Sequence, residues 1–132
     1  MKIKFKDLLV NIKGQLKHST DKLLEREFDE MDIAKAFGFA VKSIRKYKNI
    51  TLVQMEKDLE IPNPTLSRYE NGLNIPSMTQ AIKISDYFDI GVNLMIIFGL
   101  VAIYENADFI PEYQKIMNAL NNMNREIRRK NK

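Results

Sequence analysis

Pro64, Ser67, Arg68 and Asn71 fall on one side of a helical wheel, with Asn63 at its leading edge. Leu66 and Tyr69 fall on the other side, and Glu70 lies about 40° from Leu66 on that inward face. The outward set offers a hydroxyl, two amides and a guanidinium, a group suited to hydrogen bonding and to carrying positive charge. The inward carboxylate needs a charged or hydrogen-bonding partner, because burying it alone is costly. Arg45, beside the apolar stripe of an upstream helix, is the best candidate for that partner.

Catalytic chemistry has little else to build on. Cysteine is absent and a single histidine, His18, is present, so thiol catalysis, disulfides and His/Cys metal clusters are excluded. His18 sits beside Leu16 on a basic helix and reads as a surface or capping residue. Glycine-rich phosphate loops, H-E-x-x-H and G-x-S-x-G are all missing. Asp29, Glu30 and Asp32 read as acids near a helix start rather than as a cation site. The expectation is no enzyme, no catalytic residue, no cofactor and no metal.

Stepping outward from these residues, 132 residues with 45% apolar and 29% charged content fit one globular domain with appendages. Net charge is +4, and it is distributed in blocks. Residues 33–50 carry five positive charges and no acid, residues 51–110 sum to −5, and residues 111–132 sum to +4. The longest apolar run, Leu94 to Tyr104, is too short to span a bilayer, which takes about 20 residues. A cytoplasmic protein with no membrane partner is expected.

The punctuation is helical. Phe5, Leu8, Leu9, Ile12 and Leu16 recur at helical spacing, although Ile3 and Phe5 alternate with lysines and also fit a short strand. Leu23, Leu24, Phe28 and Met31 suggest a second helical stretch. From about Asp32 a strong amphipathic helix carries Ile33, Phe37, Ala40, Val41, Ile44 and Tyr47. Thr51 and Gln54 have the spacing of a capping box and open a helix ending near Leu59. After Glu60-Ile61-Pro62, Asn63 reads as an N-cap and Pro64 as the first helical residue, with Gly72 beyond the helix end. Ser77 and Gln80 open the next helix, Asn93 caps another, and Pro111 starts the last. Tyr113, Ile116, Leu120, Met123 and Ile127 on that last helix fall at heptad positions. They can dock on the domain or pair between molecules, and both remain open.

Two short capped helices with a three- to four-residue break form a helix-turn-helix. The stretch from Ile44-Arg45 to Pro76-Ser77 resembles the lambda-repressor-like, XRE-type helix-turn-helix family. Arg45, Ile50-Thr51, Met55, Leu59, Ile61, the run Thr65 to Gly72 and Ile75-Pro76-Ser77 carry the match, and Glu-Asn-Gly with a later proline is its most specific part. The resemblance extends over about residues 33–98. Residues 1–31 and 105–132 lie outside it and read, from their own periodicity and charge, as a helical N-terminal extension and a C-terminal amphipathic helix with a basic tail; the resemblance itself implies an all-α, five-helix bundle over residues 32–104. It further implies a homodimer that reads double-stranded DNA. By position, Asn63, Pro64, Ser67 and Arg68 would face base edges, while Thr51, Leu52, Asn71, Asn74 and Ser77 would lie near phosphate. Arg45 and Glu70 would form the structural ion pair. Met95, Phe98 and Ile103, with the heptad residues of the last helix, are the candidates for the dimer interface.

Three positions depart from the family pattern. Glu56 stands where a small residue usually packs, Glu60 where a glycine usually turns, and Pro64 where a base-contacting side chain is common. Residues 51–72 sum to −2, so compensating cations must come from Lys42, Lys46, Lys48, Lys83 or the basic ends. Modest, strongly salt-dependent binding is expected from a transcriptional regulator acting chiefly as a repressor. The competing expectation is a protein-binding module, antitoxin-like or an inhibitor from a mobile element. Its partner would engage residues 1–31 or 105–132.

Overall fold

The computed structural model describes residues 2–4 and 26–104, together with nine positions between 111 and 130. Two two-residue strands, β1 (Ile3–Lys4) and β2 (Glu27–Phe28), pair antiparallel, Ile3 opposite Phe28. Among residues 26–104 five helices follow: α1 (Glu30–Tyr47), α2 (Leu52–Leu59), α3 (Asn63–Glu70), α4 (Met78–Phe88) and α5 (Val92–Tyr104). The architecture is the expected all-α bundle.

The N-terminal segment corrects the sequence reading in part. Residues 3–4 take the short strand that the alternation of Ile3 and Phe5 with lysines also fitted, whereas residues 27–28 are extended rather than helical, and Phe28 is buried in the core rather than held in a separate extension. The helices expected over residues 5–25 lie outside the described residues. Helix α1 begins two residues earlier than the periodicity indicated, because Asp29 and Asp32 form a reciprocal capping box. Tyr104 on α5 donates to Asp32 at 2.7 Å, and this bond holds the Asp32 carboxyl below its usual range. Arg26 stacks over the Tyr104 ring at 4.1 Å, and Phe28 packs against the same ring at 5.2 Å. The strand pair is thereby pinned to one end of the α1–α5 pair, where the start of α1 meets the end of α5.

Helix α5 is apolar all round because it is the central helix. Leu94, Met95, Ile97, Phe98, Leu100 and Val101 are all buried. Its backbone touches that of α1: a Cβ built on Gly99 would lie 2.0 Å from the Ala36 carbonyl oxygen. A Cβ on Gly38 of α1 would lie 1.9 Å from the Tyr69 carbonyl oxygen, so α1 also meets the end of α3 without a side chain between them. Helix α5 opens at Val92, with Met95 N–H bonded to the Gly91 carbonyl. Gly91 therefore takes the capping position expected for Asn93, which lies in the first turn. Among the described residues, no single helix is long and apolar enough to cross a membrane.

Candidate nucleic-acid interface

Helices α2 and α3 are joined by Glu60, Ile61 and Pro62. Thr51 caps α2 by accepting from Gln54 N–H at 3.0 Å. The Gln54 side chain does not reach back, as a full capping box requires; it donates to Asp58 at 2.7 Å. Glu60 turns the chain with φ +57°, the left-handed conformation that glycine usually provides, at a cost of about 1–2 kcal/mol. Ile61 is buried beneath the turn.

Helix α4 holds α2 from behind. Lys83 donates to the Leu59 carbonyl at 3.0 Å, and Tyr87 donates to Asp58 at 2.6 Å. Burial, then the Asp58 hydrogen bond, push the Tyr87 hydroxyl up to about 12. Lys83 is thus engaged at a helix C-terminus, whereas Lys42 and Lys46 lie on α1 and Lys48 at its C-cap.

Helix α3 is fixed from its inner face. Arg45 Nε donates to Glu70 Oε2 at 2.6 Å and Nη2 to Oε1 at 3.0 Å, while Nη1 reaches the Ile50 carbonyl at 2.9 Å. The Glu70 side chain is 4% exposed, and no described buried polar side-chain atom lacks a partner. Leu66 is fully buried, and the Tyr69 hydroxyl donates to Gln80 of α4. The Gln80 side chain is therefore engaged with Tyr69, while Ser77 alone caps α4. Gly72 takes the left-handed position after α3, with φ +68°.

The outer face is open. Pro64 and Arg68 are exposed, and Asn63 and Ser67 are half-buried. Arg68 Nη2 donates to Asn74 Oδ1 at 3.1 Å, so the guanidinium is held over the loop that follows the helix. Asn74 was expected at phosphate; its contact with Arg68 was not visible six residues away in sequence. Thr51, Asn71 and Ser77 are exposed and Leu52 is half-buried, flanking the α3 face at the start of α2, the end of α3 and the start of α4.

The start of α3 departs from expectation. Asn63 is its first residue, not its cap, and the capping position falls to Pro62, which has no side-chain acceptor. Glu56 of α2 supplies one, accepting from Asn63 N–H at 2.9 Å.

Residues 41–94 match the family model described as Helix-turn-helix. Those residues are a helix-turn-helix domain of the lambda-repressor-like type. At the level of the family this is a DNA-binding regulator domain. No curated protein and no solved structure matched the chain.

The expected dimer residues separate. Met95 and Phe98 are buried in the protomer's own core, which corrects their assignment to a surface; Ile103 is half-buried and Ile127 is 54% exposed. Tyr113, Ile116, Leu120 and Met123 lie outside the described residues. Every described position between Pro111 and Lys130 is helical and exposed, and Gln114 donates to the Tyr47 hydroxyl at 2.5 Å.

Proposed function

We propose that the chain is a sequence-specific transcriptional regulator of XRE type, a repressor acting as a homodimer on a pseudo-palindromic operator. The observation that carries this is the outer face of α3. Asn63, Ser67 and Arg68 present an amide, a hydroxyl and a guanidinium outward, on a helix locked from inside by the Arg45–Glu70 pair. Arg68 can make a bidentate contact to guanine, Asn63 can pair with adenine, and the Pro64 ring can touch a thymine methyl. Thr51, Leu52, Asn71, Asn74 and Ser77 bracket that face and would approach phosphate. Repression would be steric: a protein seated on its operator excludes polymerase.

A second copy is supported by exposed apolar side chains on α4 and the loop before it. Ile75 is 49% exposed, Met78 80% and Ile82 47%; they border a groove of about 480 Å³ floored by Phe37, Val92 and Ile96. Such a groove is a stronger candidate for self-association than the buried Met95 and Phe98. Two copies would present their α3 helices about 34 Å apart.

The test is selection of duplexes from a randomised pool, followed by fluorescence anisotropy. Wild type should enrich an inverted repeat, and Arg68→Ala should weaken binding to it by about 5- to 150-fold, as loss of one bidentate base contact implies. Binding to a scrambled duplex should change far less. Equal, weak binding of both proteins to both duplexes would favour the protein-binding module instead. The net −2 over residues 51–72 is what keeps that second reading in view.

A further inference from the structure

One residue, Glu56, bonds to both ends of the turn between α2 and α3. The Glu56 backbone carbonyl accepts from Glu60 N–H at 2.8 Å, and its side-chain Oε1 accepts from Asn63 N–H at 2.9 Å. These two bonds bracket the turn at both ends. The second bond joins the helices of the motif, because Glu56 lies on α2 and Asn63 opens α3.

The leading turn of α3 has few donors to offer. Pro62 at the cap has no side-chain acceptor, and Pro64 has no N–H. Asn63 N–H is taken by Glu56, which leaves Thr65 N–H. A helix start normally presents several such groups to phosphate; this one has one proline ring and one occupied donor in their place. A carboxylate suits the positive end of the helix dipole, yet it repels the phosphates toward which that end would point. The Asn63 side-chain amide, relieved of capping, is left available.

We infer that Glu56 is a positioning residue: its carboxylate fixes the start of α3 against α2, giving up phosphate affinity and gaining discrimination between base sequences. This rests on the DNA-reading role proposed above. Glu56 does not touch a base; it sets where Asn63 and Pro64 stand. The acceptor and the charge are separable, and each makes its own contribution. The acceptor governs the ratio of affinities for selected and scrambled DNA, while the charge lowers both affinities together.

Three variants separate these roles, measured with the duplex enriched by wild type and a scrambled control. Glu56→Gln keeps an acceptor oxygen and loses the charge; it should bind both duplexes more tightly with the ratio unchanged within about twofold. Glu56→Asp keeps the charge and cannot reach; the ratio should fall by about tenfold, the scale of one charge-assisted hydrogen bond, without tighter scrambled binding. Glu56→Ala should lose the ratio and bind scrambled DNA more tightly. Exchange of the Asn63 amide proton, followed by NMR, should be slow in wild type and Glu56→Gln and fast in the other two. Measured against the buried Leu66 and Tyr69 amides of α3, which report global opening, that readout stays specific to Asn63 even where a variant is less stable.

An unchanged ratio in Glu56→Asp and Glu56→Ala would overturn the inference, as would a lost ratio in Glu56→Gln, which would assign the effect to charge. A wild-type protein that enriches no sequence would instead remove the DNA-reading role itself, and the inference with it. The first two failures leave wild-type selection intact, so they are distinguishable from the third.

Discussion

Gly99→Ala is expected to lower the thermal midpoint by about 12–24 °C, corresponding to about 3 kcal/mol in a domain of this size. The methyl group would meet the Ala36 carbonyl oxygen at 2.0 Å and the Ala36 Cα at 2.7 Å. Both are backbone atoms within the α1 helix, so no rotamer change can make room. Relief requires α1 and α5 to separate, opening the seam beside Phe37, Met95 and Phe98, all of them buried. Gly38→Ala carries the same argument to the functional end of the molecule, since its methyl would meet the Tyr69 carbonyl at 1.9 Å. That contact involves α3 itself, so Gly38→Ala should also displace the outer face that carries Arg68. Gly91→Ala is the control: its nearest neighbour is the terminal oxygen of the exposed Asn93 side chain, which can swing away. Thermal melting by circular dichroism measures all three. A midpoint for Gly99→Ala within a few degrees of wild type would contradict the backbone contact.

Removing either member of the Arg45–Glu70 pair should cost about 3–5 kcal/mol, because the remaining charge is stranded in a site built for two. Arg45 is the more consequential partner. Besides its two bonds to Glu70 it donates to the Ile50 carbonyl, so Arg45→Ala frees the α1–α2 turn as well. The side chains are 12% and 4% exposed, so water reaches Arg45 slightly and Glu70 hardly at all. Replacing both at once, Arg45→Met with Glu70→Leu, removes the stranded charge and should cost much less than the sum of the two single changes. Urea denaturation of wild type, Arg45→Met, Glu70→Leu and the double variant gives the coupling energy. Strict additivity would mean that the two charges act independently despite bonds of 2.6 and 3.0 Å.

What the sequence made legible was local. Thr51 and Ser77 cap the helices that follow them, Gly72 takes the left-handed turn, and the inward placement of Glu70 pointed to Arg45. Each depends on a few neighbouring residues or on one helical period. What stayed hidden depends on how the helices meet. Nothing near Gly38 or Gly99 announces that a carbonyl of another helix will occupy the space of a methyl group. Glu56 looked like a misfit beside the turn, because its partner is a backbone N–H that only the folded turn brings within reach. Met95 and Phe98 were assigned to a surface because α5 is apolar on every side, and a helix without an amphipathic stripe does not reveal which side faces its own core. The strand at Ile3–Lys4 stayed one of two readings and its partner at Glu27–Phe28 was read as helix for a simpler reason: two residues per strand give periodicity almost nothing to act on.

The outer face of α3 is most directly tested by backbone-amide NMR during titration with the duplex that the protein itself enriches. The account predicts the largest shift changes at the amides of residues 63, 65–68, 71–75 and 77, with a second group at Thr51 and Leu52, and little change along α5. Changes centred instead on Ile82, Val92 and Ile96, with Asn63, Ser67 and Arg68 left as they were, would contradict it.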